Sequence, residues 1–292
     1  MFPVVQELAA DGVPVAVTCR VLNVSTSGYY EWRSRPASER DVEQAYLMHA
    51  IREVHAASYG TYGHRRVHAE LTMGRRLEVS HGRVERLMRS TGLQGVHRRR
   101  LRGCTRRDEA ATPSADLVER RFTPDGPNRL YVADVTQHRT SEGWLYYAVV
   151  IDCFSRRVVG WSMQNRQTTD LVLQALLMAV WRRKPKGKVL IHSDQGSQFT
   201  SMDWASFLKA HNPEHSMSRR GNCHDNAVVA SFFNLLKREY IRRRTYRSRD
   251  EARQDVFDYI EMFYNLIRKH VRNGMLSPVE FERQQMMSTE GV

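Results

Sequence analysis

The period of the apolar positions changes along the chain, and each change marks a change of architecture. Between Phe2 and about Arg33, Val5, Leu8 and Ala9, then Val15, Val21 and Leu22, recur at helical spacing. A turn at Asn23 and a Ser25-Thr26-Ser27 start precede Tyr29, Tyr30 and Trp32, which predicts three short helices in a helix-turn-helix-like segment over 1–40. Over 41–100, Leu47, Ile51 and Val54 form one face and Val67 and Leu71 follow. Ser80 then caps a helix carrying Val84, Leu87 and Met88 that stops at Gly92. Arg65, Arg66, Arg83, Arg86 and Arg89 fall on the polar sides of these helices, a pattern suited to a DNA groove and equally to a solvated basic face.

Apolar periodicity then stops. His97 to Arg107 is a charge run containing Arg98, Arg99, Arg100 and Arg102, and small residues continue it, which predicts a basic linker over 101–122 that tracks phosphates. Beyond it the pattern is that of strands: Leu130 to Val135, Trp144 to Ile151 and Arg157 to Met163, separated by turn signals, predict an antiparallel meander. A helix from about Thr168 to Trp181, a strand at Val189 to Ile191, a helix near Met202 to Leu208, a strand near Ser216 to Ser218 and a helix from Asp225 to about Ile241 follow. Together they predict an α/β mixed sheet with flanking helices over 123–245. A capping box at Ser248 and Glu251 opens a C-terminal helical segment, 246–292, whose buried stripe is expected to be Ala252, Val256, Phe257, Ile260, Phe263, Tyr264 and Ile267.

Charge narrows the partner. The chain has 292 residues, with 45 Lys and Arg against 32 Asp and Glu, a formal charge of +13 that calls for a polyanion, and nucleic acid is the natural one. No run of about 18 apolar residues and no signal segment appears, so a membrane is not expected and a cytoplasmic, nucleoid-associated location is. Cys19, Cys104, Cys153 and Cys223 show no paired spacing, and the histidines show no zinc spacing paired with cysteines.

Two carboxylates stand out. Asp134 shares a strand face with Leu130 and Val132, where burying a charge is costly, and so reads as a metal ligand or catalytic acid. Asp194 follows an apolar strand and has Gly196 beside it, which permits close approach of substrate and also fits an ordinary turn. On the later helix, Asn226, Ala230, Asn234 and Lys237 share one edge, and by itself the alanine there is unremarkable.

These segments resemble a known family. The motifs Leu130-Tyr131-Val132-Ala133-Asp134-Val135, Ile151-Asp152-Cys153-Phe154-Ser155, His192-Ser193-Asp194-Gln195-Gly196 and Asn222-Cys223-His224-Asp225-Asn226 look like the integrase core of insertion-sequence transposases. The nearest resemblance is to the second-reading-frame protein of the insertion-sequence-three family. Tyr59 to His68 is similar to that family's helix-turn-helix segment, and Tyr264 to His270 with Ser277-Pro278 is similar to its C-terminal segment.

The resemblance implies a ribonuclease H-like, five-stranded integrase core with a DDE triad of two aspartates and a glutamate holding two Mg²⁺ or Mn²⁺ ions. The aspartates match Asp134 and Asp194; the glutamate's place is taken by Ala230, while Asp152 matches a position outside the triad and reads as a turn residue. The implied activity is 3′-end cleavage and DNA strand transfer at transposon ends, impaired in this chain by Ala230. The implied partners are the terminal inverted repeats, target DNA and at least one further copy of the chain. From their place on the Ala230 edge, Asn226 and Lys237 are candidate DNA contacts near the site, and Lys237 equally fits a solvated charge. A non-catalytic DNA-binding regulator would also account for the charge and the alanine. A retroviral-type integrase would need a histidine and cysteine zinc module that has no counterpart here.

Overall fold

The computed structural model describes residues 1–96, 118, 122–194, 196–199, 202–211, 213–218 and 227–290. By compactness the chain divides into two units, 1–53 and 54–292. The first contains α1 (Phe2–Ala10), α2 (Val15–Val21) and α3 (Thr26–Ser34), and α4 (Glu39–Ala57) runs through the division. Ser25 caps α3 by accepting from Gly28 N at 3.2 Å, and Asn23 makes the preceding turn at φ 52°. Val5, Cys19 and Tyr29 form the small core, with Phe2, Val15, Leu22, Val24 and Trp32 packed around it. Val21, expected inside, is 78% exposed, because Val15, Cys19 and Leu22 occupy the inward stripe of α2 at i, i+4 and i+7.

The second unit opens with α5 (His64–Ala69), which continues as a π-helical turn over Glu70–Gly74, and α6 (His81–Ser90). Ser80 caps α6 by accepting from Arg83 N at 3.3 Å, and Gly92, at φ +67°, ends it. Val67, Leu71, Val84, Leu87 and Met88 are the buried positions, as their spacing predicts.

The core is a five-stranded mixed sheet with flanking helices, the ribonuclease H-like arrangement. Strands β1 (Leu130–Thr140), β2 (Gly143–Asp152) and β3 (Val158–Gln164) form the meander, and β4 (Leu190–Ser193) and β5 (Glu214–Met217) run parallel to β1, in the order β3-β2-β1-β4-β5. Tyr131, Ala133, Ala148 and Val150 pack with α7 (Thr169–Arg183) and with Trp204 and Phe207 of α8 (Met202–His211). Gly160 on β3 is required for this layer, since a Cβ there would lie 2.0 Å from the Ala175 carbonyl oxygen of α7. The opposite face carries Val132, Asp134, Thr136 and His138, with Val149, Tyr147 and Leu145 paired across from the last three. Onto it packs α9 (Ala227–Glu239), whose Phe233 meets Tyr147 edge-on with ring centroids 5.9 Å apart.

The C-terminal segment has α10 (Arg249–Phe257), a π-helical stretch Asp258–Tyr264 and α11 (Pro278–Glu290). The capping box forms with a shift. Ser248 accepts from Glu251 N at 3.1 Å, whereas the Glu251 carboxylate reaches Arg247 N at 2.9 Å instead of the cap residue. Phe257 and Ile267, expected to be buried, are 38% and 47% exposed, because the wider π turn between them changes the phase of the stripe.

Candidate active site

Register builds the site. Strands β1 and β4 are parallel neighbours with Ala133 opposite Ser193, so the next residue on each, Asp134 and Asp194, stands beside the other where β4 ends. Each carboxylate is turned by a local backbone bond. Asp134 accepts from Val135 N at 2.7 Å and Asp194 from Gly196 N at 3.1 Å. A Cβ on Gly196 would come within 2.7 Å of the Gln198 amide oxygen and 3.0 Å of the Asp194 carboxylate, so the glycine keeps the loop tight.

Burial raises both acids. For Asp134 the repulsion of Asp194 adds to desolvation and carries its pKa up to about 7, against smaller lowering contributions from the Val135 N–H and from Lys237. Asp194 is also shifted upward, by desolvation, with the Gly196 N–H opposing. Behind the pair, Ser193 lies 3.1 Å from His215 Nε2, and burial together with nearby His192 pushes His215 down to about 4, so this support is uncharged near neutral pH.

The same face of β1 meets α9. Lys237 Nζ donates to Thr136 Oγ1 at 2.5 Å and lies within electrostatic reach of Asp134. Lys237 is itself shifted downward by burial and by Arg242, and His138, next along the face, is lowered by burial, Lys237 and Arg242. Asp134 is therefore flanked by one cation, Lys237, with Arg242 behind it. Ala230, half-buried, lies on the Lys237 edge of α9, seven residues and about 10 Å earlier along the axis, and offers only a methyl group. Glu239 supplies no substitute. It falls on the opposite side of α9, where Arg268 donates to it at 2.6 and 2.8 Å and Tyr259 at 2.9 Å.

Other expected site residues lie elsewhere. Arg65 is exposed on α5, whereas Arg66 departs from the expected free cationic face: its Nε donates to the Lys269 carbonyl at 3.1 Å and its guanidinium lies over the Tyr62 ring. On α6, Arg86 is exposed, and Arg89 is paired with Glu85 at 2.8 Å. Arg83 is half-buried on the same helix. Arg98, Arg99, Arg100, Arg102 and Asn226 lie outside the described residues. Asp152 is a fully buried turn anchor, accepting from Asn128 N at 2.8 Å and Phe154 N at 3.0 Å and paired with Arg183 at 3.3 Å.

Known proteins share this arrangement of segments. The integrase core domain family matches residues 124–223 and, through a second family of the same description, 230–286, and the HTH-like domain family matches 41–100. The transposase InsF of insertion sequence IS3A from Escherichia coli K12 is 41% identical over 276 residues, covering 93% of this chain and 95% of that protein. The chain belongs to the InsF-type transposases of IS3 insertion sequences. A 31 kDa protein of insertion element IS600 from Shigella sonnei is 36% identical over 91% of this transposase and 97% of its own length. The catalytic core domain of HTLV-2 integrase, in complex with magnesium, aligns with a TM-score of 0.42 and 18% identity over 54% of this chain and 98% of that domain. Among the described residues no helix is long and apolar enough to cross a membrane.

Proposed function

We propose that this chain binds the terminal inverted repeats of an insertion sequence as an oligomer of at least two copies and that its core is built for 3′-end cleavage and DNA strand transfer. The observation that carries this reading is the Asp134 and Asp194 pair, set side by side by the β1/β4 register, with burial raising both and Asp194 adding repulsion at Asp134. The donor set consists of carboxylate oxygens, which fits a hard divalent cation, Mg²⁺ or Mn²⁺. Asp134 and Asp194 would hold it, in the two-ion arrangement of the DDE triad. When bound, such ions activate the attacking oxygen and stabilise the departing one.

The chain's own residues do the rest. Lys237, anchored on Thr136 and within electrostatic reach of Asp134, presents positive charge beside the carboxylates, and with Arg242, which lies near Lys237, would bind the DNA backbone there, orienting the scissile phosphodiester for in-line attack. In the first step water attacks phosphorus and the 3′-oxygen leaves as a free hydroxyl; in the second that hydroxyl attacks another phosphodiester and displaces its 3′-oxygen. Exposed Arg65 and Arg86 would hold the repeat through phosphates, joined by Arg83 and by the basic linker with Arg98, Arg99, Arg100 and Arg102, and Asn226 would contact DNA near the site. The work is done in the bacterial cytoplasm, on nucleoid DNA.

Ala230 limits this chemistry. Without a third carboxylate the cations lose a ligand and its charge, so the chain binds ends but cuts them poorly, and Ala230 is also what favours a non-catalytic regulator of transposition as the second reading. In an end-cleavage assay with Mg²⁺, Ala230→Glu is expected to be faster than the unaltered chain by about a hundredfold or more, the scale of removing one preorganised electrostatic group. Equal rates in the two proteins would refute the assignment of position 230.

A further inference from the structure

Away from the carboxylate pair, α5 and α6 bring a second set of ligating side chains together. His64 and His68 lie one helical turn apart on α5, and His81 and Glu85 lie one turn apart on α6, so each helix offers an i, i+4 pair. One ligand atom each of His64, His81 and Glu85 lies within 4.8 Å of the other two. The His64 and His81 rings meet edge-on with centroids 4.7 Å apart, and His68 follows at 5.5 Å from His81.

Nothing in the core's chemistry uses this cluster. His68 Nε2 lies 3.0 Å from the Val79 carbonyl, which can only accept, so that nitrogen carries the proton and Nδ1 keeps its lone pair. His81 is shifted downward by desolvation and by nearby His64 and His68, and an imidazole ligates through a neutral nitrogen. Glu85 uses Oε1 for Arg89 and retains a second oxygen.

We propose that His64, His81 and Glu85 form a site for a divalent transition-metal ion of the zinc class, which fastens the first two turns of α6 to the start of α5. Two imidazoles and a carboxylate are a donor set that zinc accepts and that magnesium, an all-oxygen ion, does not. Tetrahedral coordination at zinc–nitrogen distances sets neighbouring ligand atoms about 3.3 Å apart. Closing from 4.8 Å to that spacing takes only small rotations of side chains at a partly exposed helix pair, and water completes the fourth position. Loading would act on α6, a helix assigned above to DNA. The test below contains no DNA and therefore stands apart from that assignment.

The full chain carrying Asp134→Asn and Asp194→Asn, which removes the carboxylate pair, is titrated with Co²⁺ as a spectroscopic stand-in for zinc. One equivalent is expected to give the visible absorption of tetrahedral cobalt, displaced by Zn²⁺ and untouched by Mg²⁺. Adding His81→Ala, and separately Glu85→Gln, is expected to weaken binding about tenfold or more, with the helical circular dichroism unchanged because His81 is exposed. Absence of the tetrahedral band, or a band of equal affinity in the His81→Ala protein, overturns the proposal.

Discussion

Asp134 illustrates how a single side chain can be set against the stability of the fold that holds it. Its pKa is raised to about 7 in the folded chain from an ordinary 3.8, so the folded state binds a proton that the unfolded state has already released as pH climbs between those values. Stability from this group is therefore greatest in acid and is lost as pH rises towards 7. Asp134→Asn removes the titration, and in metal-free buffer it is expected to stabilise the fold at pH 8 by a free energy of the order of 4 kcal/mol, seen as a higher melting temperature, with the gain vanishing near pH 4. Mg²⁺ should stabilise the unaltered chain more than the variant. A melting difference that is the same at pH 4 and pH 8 would show that desolvation of this carboxylate is not the cause. Asp134 was legible because a charge in an apolar strand is expensive, and a family motif surrounded it. The His64, His81 and Glu85 cluster was not, although both pairs sit at four-residue spacing, because only tertiary contact between α5 and α6 joins them.

Between elements, the helices and strands were legible in the residue pattern, but what fastens them was not. The three meander strands, the Ser80 and Ser248 caps and the Gly92 stop stand where the pattern places them and the two short strands are displaced by one or two residues, whereas Phe257 and Ile267 leave the expected stripe because a π turn cannot be seen in a 3.6-residue period. Ion pairs across long sequence separations were equally hidden. The buried Glu239 and Arg268 pair, with Tyr259 donating to the carboxylate, joins α9 to the segment after the π turn. Breaking one partner leaves an uncompensated buried charge, so Arg268→Met is expected to lower unfolding free energy by about 3 kcal/mol. Combined with Glu239→Leu, which removes the orphaned charge, the loss should be smaller, and urea denaturation of the two single variants and the double variant measures the difference. A double variant whose loss equals the sum of the singles would mean that the two groups act independently.

At the scale of the molecule, the net charge of +13 predicts binding that is sensitive to salt. If exposed Arg65 meets a phosphate, Arg65→Ala should weaken end binding uniformly across sequences and reduce the slope of log affinity against log salt by about 1. An unchanged slope would return Arg65 to the solvated face that the sequence allowed as the alternative. The family match over nearly the whole chain made the order of segments legible from residues alone, but the division near Glu53 and the packing of α5 on the C-terminal segment were not, since both depend on contacts far apart in sequence.

That packing has one further consequence. Tyr62 OH donates to the Ile267 carbonyl at 3.1 Å and accepts from Lys269 N at 2.9 Å, Lys269 pairs with Glu70 at 2.9 Å, and Tyr59 packs edge-on against both Tyr240 and Phe263. Tyr240 directly follows α9, so the helices that would grip an element's end and the surface that would sever it are parts of one stiff frame. Such a frame would work as a caliper: the number of base pairs between gripped sequence and scissile bond would be set by protein dimensions, so that in Ala230→Glu an end lengthened by one pair would be nicked one pair away from its natural boundary.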